Sequence, residues 1–273
     1  MFALVSLSAE LAEQLVAVET GGDDAVHQAR TRVRRIRSVL SVYRRAFVEE
    51  DAQVMRARLR RLGSALGETR DLEVRAKDLE DLLAAETAPD VVDAVLGFAQ
   101  DARRAYDASL AGLIRRLNGR AHRRLLADLQ AFAARPPLRK RGRKHPNRVA
   151  RNGMEKAARR VARGDLDSLE KLHELRKSAR RLRYAADAVS DTLGRDAVRI
   201  SSAAETLQDA LGDHRDLVLL ASHLRARAAE TELSASAAAG IARLASDSDA
   251  RAETMLEPVP SLVDAVAAAV DAV

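Results

Sequence analysis

The chain has 273 residues, with 46 Lys or Arg against 40 Asp or Glu, a formal net charge of +6 and a pI near 10.0. It holds no cysteine, which excludes disulfides, thiol catalysis and Cys-ligated zinc. Aromatic residues make up 3% of the chain and there is no Trp, so the composition is poor in the ring platforms that single-strand nucleic-acid binders use.

Spacings of three and four between apolar residues dominate, strand-like alternation is scarce, and the fold class expected is all-α. A first helix is expected over residues 6–19, broken at Thr20-Gly21-Gly22-Asp23, with Asp23 or Asp24 as the N-cap of the next. That next helix runs to about Phe47. A long helix follows from about Glu50, with a disturbance expected at Gly67. After the turn at Thr87-Ala88-Pro89, a further helix reaches Ala134, bent near Gly112 or Gly119. Residues 135–147, RPPLRKRGRKHPN, read as a basic, Pro-rich linker. Helices resume over residues 148–163, 168–192, 196–211, 217–230 and 232–256, and a short one follows Pro258 and Pro260. No apolar run approaches the roughly 20 residues of a membrane helix. The N-terminus lacks the basic region of a signal peptide. The expected location is cytoplasmic.

The stretch 26–45, VHQARTRVRRIRSVLSVYRR, carries seven arginines, one histidine and no acidic residue. On a helix, His27, Arg30, Arg34 and Arg37 fall within an arc of about 80°, with Arg45 beside them. Val26, Ala29, Val33, Ile36, Leu40 and Tyr43 form a separate apolar face. A basic stripe without interleaved carboxylates calls for an anion from elsewhere. Arg32, Arg35 and Arg181 are expected to be solvated.

The chain repeats itself across the linker. Val26-His27-Gln28-Ala29-Arg30 matches Leu172-His173-Glu174-Leu175-Arg176, and Arg34-Arg35-Ile36-Arg37 matches Arg180-Arg181-Leu182-Arg183. Further on, Leu66-Gly67-Glu68-Thr69-Arg70-Asp71-Leu72 matches Leu211-Gly212-Asp213-His214-Arg215-Asp216-Leu217. The shared plan is a His-xx-Arg-xxx-Arg-Arg-φ-Arg helix followed by an LGxxRD segment, expected to form a corner with Gly67 and Gly212 ending or bending a helix. In the second copy His173, Arg176, Lys177, Arg180 and Arg183 share one side. The repeat implies one domain over 1–273 made of two helical bundles, 1–134 and 148–273. These are related by a pseudo-twofold axis, a symmetry that would let their basic stripes face each other across one groove or channel.

The paired motifs HQARTRVRRIR and LHELRKSARRLRYAAD, with LGETRD and LGDHRD after them, resemble the CHAD family, the conserved histidine α-helical domain. The resemblance covers nearly the whole chain. It implies an all-α fold of two helical bundles forming one compact unit, with a basic central cavity that binds inorganic polyphosphate. It also implies that His27, Arg30, Arg34, Arg37, His173, Arg176, Lys177, Arg180 and Arg183 line that cavity. Some family members are fused to a triphosphate-tunnel domain marked by ExExK. That motif does not occur here, so no hydrolase activity carries over. Asp187 stands where the family usually has Glu, and His122 where it often has Tyr.

The chemistry suits such a ligand. Arg at i, i+4 and i+7 places cationic donors about 5 to 10 Å apart along a helix, and each contact is a charge-assisted hydrogen bond. Histidine adds a titratable donor, so binding is expected to tighten below neutral pH. Nucleic-acid binding on the same basic surface is the rival reading, with no helix-turn-helix, zinc-finger or RNA-recognition signature to support it. A phosphoanhydride hydrolase and a His-based metal protein rank lower. No second ligand stands at i+3 or i+4 from His27 or His173, and no P-loop, HExxH or Ser-His-Asp set is present. The expectation is a non-enzymatic protein with no cofactor, associating with polyphosphate granules in the cytoplasm. Lys156, Arg159, Arg160 and Arg163 form another basic helix face, with even grounds for placing them in the cavity. The roles of His122, His145, His214 and His223 stay open. The acidic stretch 71–101 is expected to face solvent.

Overall fold

A computed structural model describes residues 4–271 of the protein. Among them the structure is all-α, with one isolated antiparallel bridge between Phe47 and Leu138. In chain order the helices are α1 (Leu4–Glu19), α2 (Ala25–Val42), α3 (Glu49–Ala85), α4 (Pro89–Leu117), α5 (Arg120–Ala134) and α6 (Lys140–Lys144). They continue with α7 (Pro146–Val161), α8 (Leu169–Asp187), α9 (Ser190–Leu193), α10 (Arg195–Glu230), α11 (Ala235–Thr254) and α12 (Val259–Asp271).

The local chemistry explains most of these limits. Ser168 and Ser234 cap α8 and α11 by accepting from the backbone N–H of Lys171 and Ala237. Pro146 opens α7 at a position where no N–H is required. Asp24 precedes α2 with φ 53, and its carboxylate accepts from the Gln28 amide. Gly119 separates α4 from α5, whereas α4 runs through Gly112. The segment 135–147 is an ordered connection rather than a bare linker. Val48 N–H donates to Pro137 O at 2.7 Å, Arg139 N–H donates to Ala46 O at 2.8 Å, and α6 forms within it.

The expected LGxxRD corners are corrected by the structure. Both copies lie inside long helices, the first within α3 and the second within α10. Neither Gly67 nor Gly212 ends a helix, and Asp71 and Asp216 cap none. A helix tolerates an interior glycine at a cost of about 1 kcal/mol relative to Ala, and at Gly67 the structure shows what the missing side chain does. An added Cβ there would meet the Arg30 guanidinium at 3.5 Å, and at Gly63 it would meet Val33 at 3.1 Å and Arg37 Nη1 at 3.5 Å. The two glycines keep α3 thin where it lies against the basic helix.

The chain divides into two compact units, each built from segments of both sequence repeats. The first holds the described residues up to Gly67, Ile114–Asp209, and those from Pro260 on. In it α1 packs on α2 and α5, α2 packs on α8 and α7, and α7 packs on α8. Its core includes Leu11, Leu15, Ile36, Leu40, Tyr43, Phe47, Leu59, Leu66 and Met154. The apolar face expected on α2 is buried, from Val26 and Ala29 through Val33, Ile36 and Leu40 to Tyr43.

The second unit comprises Glu68–Leu113 and Ala210–Val259. Its core gathers Leu79, Val91, Val95, Phe98, Leu224, Ile241 and Ala245. The acidic stretch lies wholly in this unit and is only partly solvated. Asp101 pairs with Arg227 at 2.6 Å, Glu73 pairs with Arg70 at 2.9 Å, and burial beside Asp216 and Asp81 pushes the Asp78 carboxyl up to about 6. His214 is buried and His223 half-buried, and burial lowers the pKa of both, His223 to about 4.

A cluster of arginines between helices α2, α3 and α8

The two repeated helices touch. Tyr43 O–H donates to Ala185 O at 2.8 Å, and the Arg35 guanidinium meets Asp187 at 2.9 Å. These contacts set the polar stripes of α2 and α8 side by side within the first unit. Arg34 and Arg180 are half-buried at the centre. Burial and the positive charges of Arg180, Arg30 and Arg176 press the Arg34 pKa down to about 9. Burial and then Arg176, Arg30 and Arg181 press Arg180 down to about 10, against a raising contribution from Tyr184. Four of the nine expected site residues, Arg30, Arg34, Arg176 and Arg180, thus form one like-charge cluster. Among the described residues neither Arg34 nor Arg180 forms an ion pair.

A second group adjoins it. Arg37 has its pKa lowered by burial and by Arg56, Arg60 and Arg181. Arg56 is lowered in turn by burial and by Arg181, Arg44 and Arg60. Arg181, expected to be solvated, therefore belongs to this group. The helix wheel of α8 alone places it off the stripe, but α3 lies on that side. Arg32 and Arg35, also expected to be solvated, are partly buried. They pair with Glu10 at 2.7 Å and Asp187 at 2.9 Å.

The other site residues sit differently. His27 lies in the first turn of α2 and His173 in the second turn of α8, both half-buried. Lys177 pairs with Glu174 at 2.7 Å along its own helix. Arg183 pairs with Glu205 and lies 5.6 Å over the Tyr184 ring, whose other neighbour is Arg35 at 5.7 Å. The structure supplies both with carboxylates that a wheel of α8 cannot show for Arg183. His122 is half-buried, and burial lowers its pKa against the raising charge of Glu19. His145 is exposed between α6 and α7.

Arg56 and Arg60 were missed as site residues, and a signal for them exists. Arg56, Arg60, Gly63 and Gly67 stand at i, i+4, i+7 and i+11, one face of α3. Two arginines followed by two glycines on one stripe mark a helix that approaches another closely and brings charge to it.

Among the described residues no cluster of three or more His, Cys, Asp or Glu could hold a metal ion. No described helix is long and apolar enough to cross a membrane.

The fold and this site define an all-α protein with arginines from three helices gathered at close range. Residues 6–225 match the CHAD domain family model, and the chain belongs to that family. It is similar to PptA from Streptomyces chartreusis, with a TM-score of 0.77 at 16% identity over 95% of both chains. It is also similar to the CHAD domain from the plant Ricinus communis, with a TM-score of 0.63 at 22% identity over 99% of this chain and 89% of that one. At such identities the likeness is one of fold. Two uncharacterized proteins of Mycobacterium tuberculosis, MT2285 and Rv2226, are each 33% identical over 230 residues, 79% of this chain. The matched region is only 43% of their length.

Proposed function

We propose that this CHAD protein binds inorganic polyphosphate, without turning it over, through the arginines that α2, α3 and α8 bring together. The observation that carries the reading is that α2 and α8 half-bury Arg34 and Arg180 beside Arg30 and Arg176 with, among the described residues, no carboxylate paired to either Arg34 or Arg180, which presses their pKa values down. Half-burying like charges beside one another is unfavourable, and a polyanion laid among them converts that repulsion into attraction. The family's association with polyphosphate supports the choice of anion.

The rings favour polyphosphate over single-stranded nucleic acid. Tyr43, Tyr184 and Phe47 are 1%, 3% and 0% exposed, so none of them offers a face on which a base could stack. Arg30, Arg34, Arg37, Arg176 and Arg180 form the main contacts in this reading. His27, His173, Lys177 and Arg183 complete the set at its ends. The basic stripes of α2 and α8, one from each repeat, act as facing walls related by a pseudo-twofold axis, and association with cytoplasmic polyphosphate granules follows from the ligand.

The test is titration with polyphosphate of defined length and with single-stranded RNA at matched charge and fixed salt. Polyphosphate is expected to bind tighter, and Arg34→Glu with Arg180→Glu should abolish that binding while circular dichroism stays helical. Tighter RNA binding overturns the ligand assignment. Release of orthophosphate in the presence of magnesium overturns the non-enzymatic reading.

A further inference from the structure

Beyond the end of α2 lies a pocket of about 180 Å³ whose lining includes Arg44, Arg45, Arg56, Arg141, Lys156 and Arg160. No Asp or Glu lines it. Among the described residues none of the six cations forms an ion pair, although their neighbours do: Arg58 with Asp128 at 2.6 Å, Arg139 with Glu49 at 3.5 Å and Arg159 with Glu155 at 3.9 Å. The pocket exists because of one glycine. A Cβ at Gly153 would stand 2.6 Å from Tyr43 Cε1, so only glycine lets α7 lie against the buried Tyr43 ring. That approach brings Lys156 and Arg160, one and two turns further along α7, to Arg44 and Arg45.

The opposite side of the arginine cluster is built differently. The repeat offset of 145 places Arg56 and Arg60 of the first copy on Ser201 and Glu205 of the second. Ser201 donates to Asp187, and Glu205 holds Arg183. A second pocket there, about 390 Å³, has Glu10, Asp187 and Glu205 in its lining against one cation, Arg35. Carboxylates therefore stand beside the α2–α8 pair on that side, whereas none of the described residues lining the first pocket is one.

We propose that the pocket of Arg44, Arg45, Arg56, Arg141, Lys156 and Arg160 is a second anion site, and that one polyphosphate chain occupies both it and the Arg34–Arg180 cluster, leaving the Glu205 side empty. Arg56 is the link, since it lines the pocket and also acts on Arg37. The identity of the ligand rests on the function proposed above; the pocket as a phosphate site does not. From Arg30 to Val42 at the end of α2 is about 18 Å by the helix rise, a span that tripolyphosphate cannot bridge and a long chain can. Joining two sites by one chain raises affinity through effective concentration.

The experiment compares the wild type, Lys156→Glu with Arg160→Glu, and Arg34→Glu with Arg180→Glu. Each is titrated calorimetrically with tripolyphosphate and with a polyphosphate of several dozen units. Lys156 and Arg160 are exposed, so the pocket variant is expected to fold. The wild type should bind tripolyphosphate at two places and the pocket variant at one. The pocket variant should also bind the long chain about tenfold or more weaker, the scale of one or two charged hydrogen bonds. The cluster variant should keep the pocket's tripolyphosphate. Equal tripolyphosphate stoichiometry in the wild type and the pocket variant, or no tripolyphosphate bound by the wild type, overturns the pocket. Two tripolyphosphates with no gain for the long chain overturns the shared track. A wild type that takes tripolyphosphate in the pocket and prefers RNA to long polyphosphate overturns the proposed function alone.

Discussion

Replacing Arg34 by methionine should stabilise the ligand-free protein while weakening its hold on polyphosphate. Methionine keeps most of the alkyl stem and removes the charge. Each tenfold change in an acid constant is worth about 1.4 kcal/mol, so the fall of Arg34 from the ordinary arginine range to about 9 is a charge penalty of several kcal/mol in the folded state. Relaxation and water around a half-buried group reduce this, and a gain of about 2 kcal/mol is the smallest effect consistent with it. The sign follows from linkage. A base whose pKa is lower in the folded than in the unfolded chain destabilises the fold fully below its folded value and progressively less as pH rises from about 9 toward the ordinary arginine range. At neutral pH the whole penalty is present. Urea unfolding followed by circular dichroism should then show a raised midpoint for Arg34→Met, and thermal unfolding a rise of about 4 °C or more. With polyphosphate present the order should invert, because the ligand stabilises the wild type more. A ligand-free Arg34→Met that is less stable than the wild type would refute the reasoning. It would mean that Arg34 is held by favourable contacts and that the cluster stores no repulsion.

Three further outcomes follow from the same geometry. Polyphosphate should bind with uptake of protons between about pH 8 and 10, because Arg34 and Arg180 titrate near 9 and 10 when free and are pulled back up beside phosphate. Calorimetry in buffers of different ionisation enthalpy reads that uptake, and none at pH 9 contradicts the cluster. Gly153→Ala should destabilise the protein by up to about 2 kcal/mol, overpacking of about 1–3 kcal/mol less a helix gain of about 1 kcal/mol for alanine; a more stable variant would show that Tyr43 is not wedged against α7. Glu205→Gln should raise polyphosphate affinity severalfold in a salt titration by releasing Arg183 from its carboxylate, and unchanged affinity would show that the Glu205 side does not limit the track.

Much of the fold was legible in the sequence, for reasons that also explain what was not. The 3.6-residue period marks which face of α2 is buried, and the burial of Val33, Ile36 and Leu40 agrees. The recurrence of His-xx-Arg-xxx-Arg-Arg-φ-Arg singles out α2 and α8, and the structure sets them in contact. The LGxxRD segments misled because glycine signals both a helix end and a close approach. Only the position of Arg30 opposite Gly67 tells the two apart. Charge partners were the least legible. Arg181 and Arg183 are two residues apart on α8, yet one meets the arginines of α3 and the other meets Glu205 of α10. A helix wheel holds no information about what lies across from it.

The two repeats are alike where they carry arginines on α2 and α8 and unlike in the helices that follow. Arg56 and Arg60 on α3 correspond to Ser201 and Glu205 on α10. A fully symmetric pair would present equal positive charge on both sides of the cluster, and a linear anion could lie either way. Substituting a carboxylate at one copy binds Arg183 internally and offers the anion a repelling group there. The same substitution relieves repulsion in the ligand-free protein, because it pairs Arg183 of α8 with a carboxylate from another helix. Stability is thus gained on one side, and the unrelieved positive charge is concentrated on the other. There Arg37, Arg56 and Arg60 lead to Lys156 and Arg160, so the polarity of the site is written in the divergence of the repeats rather than in their likeness.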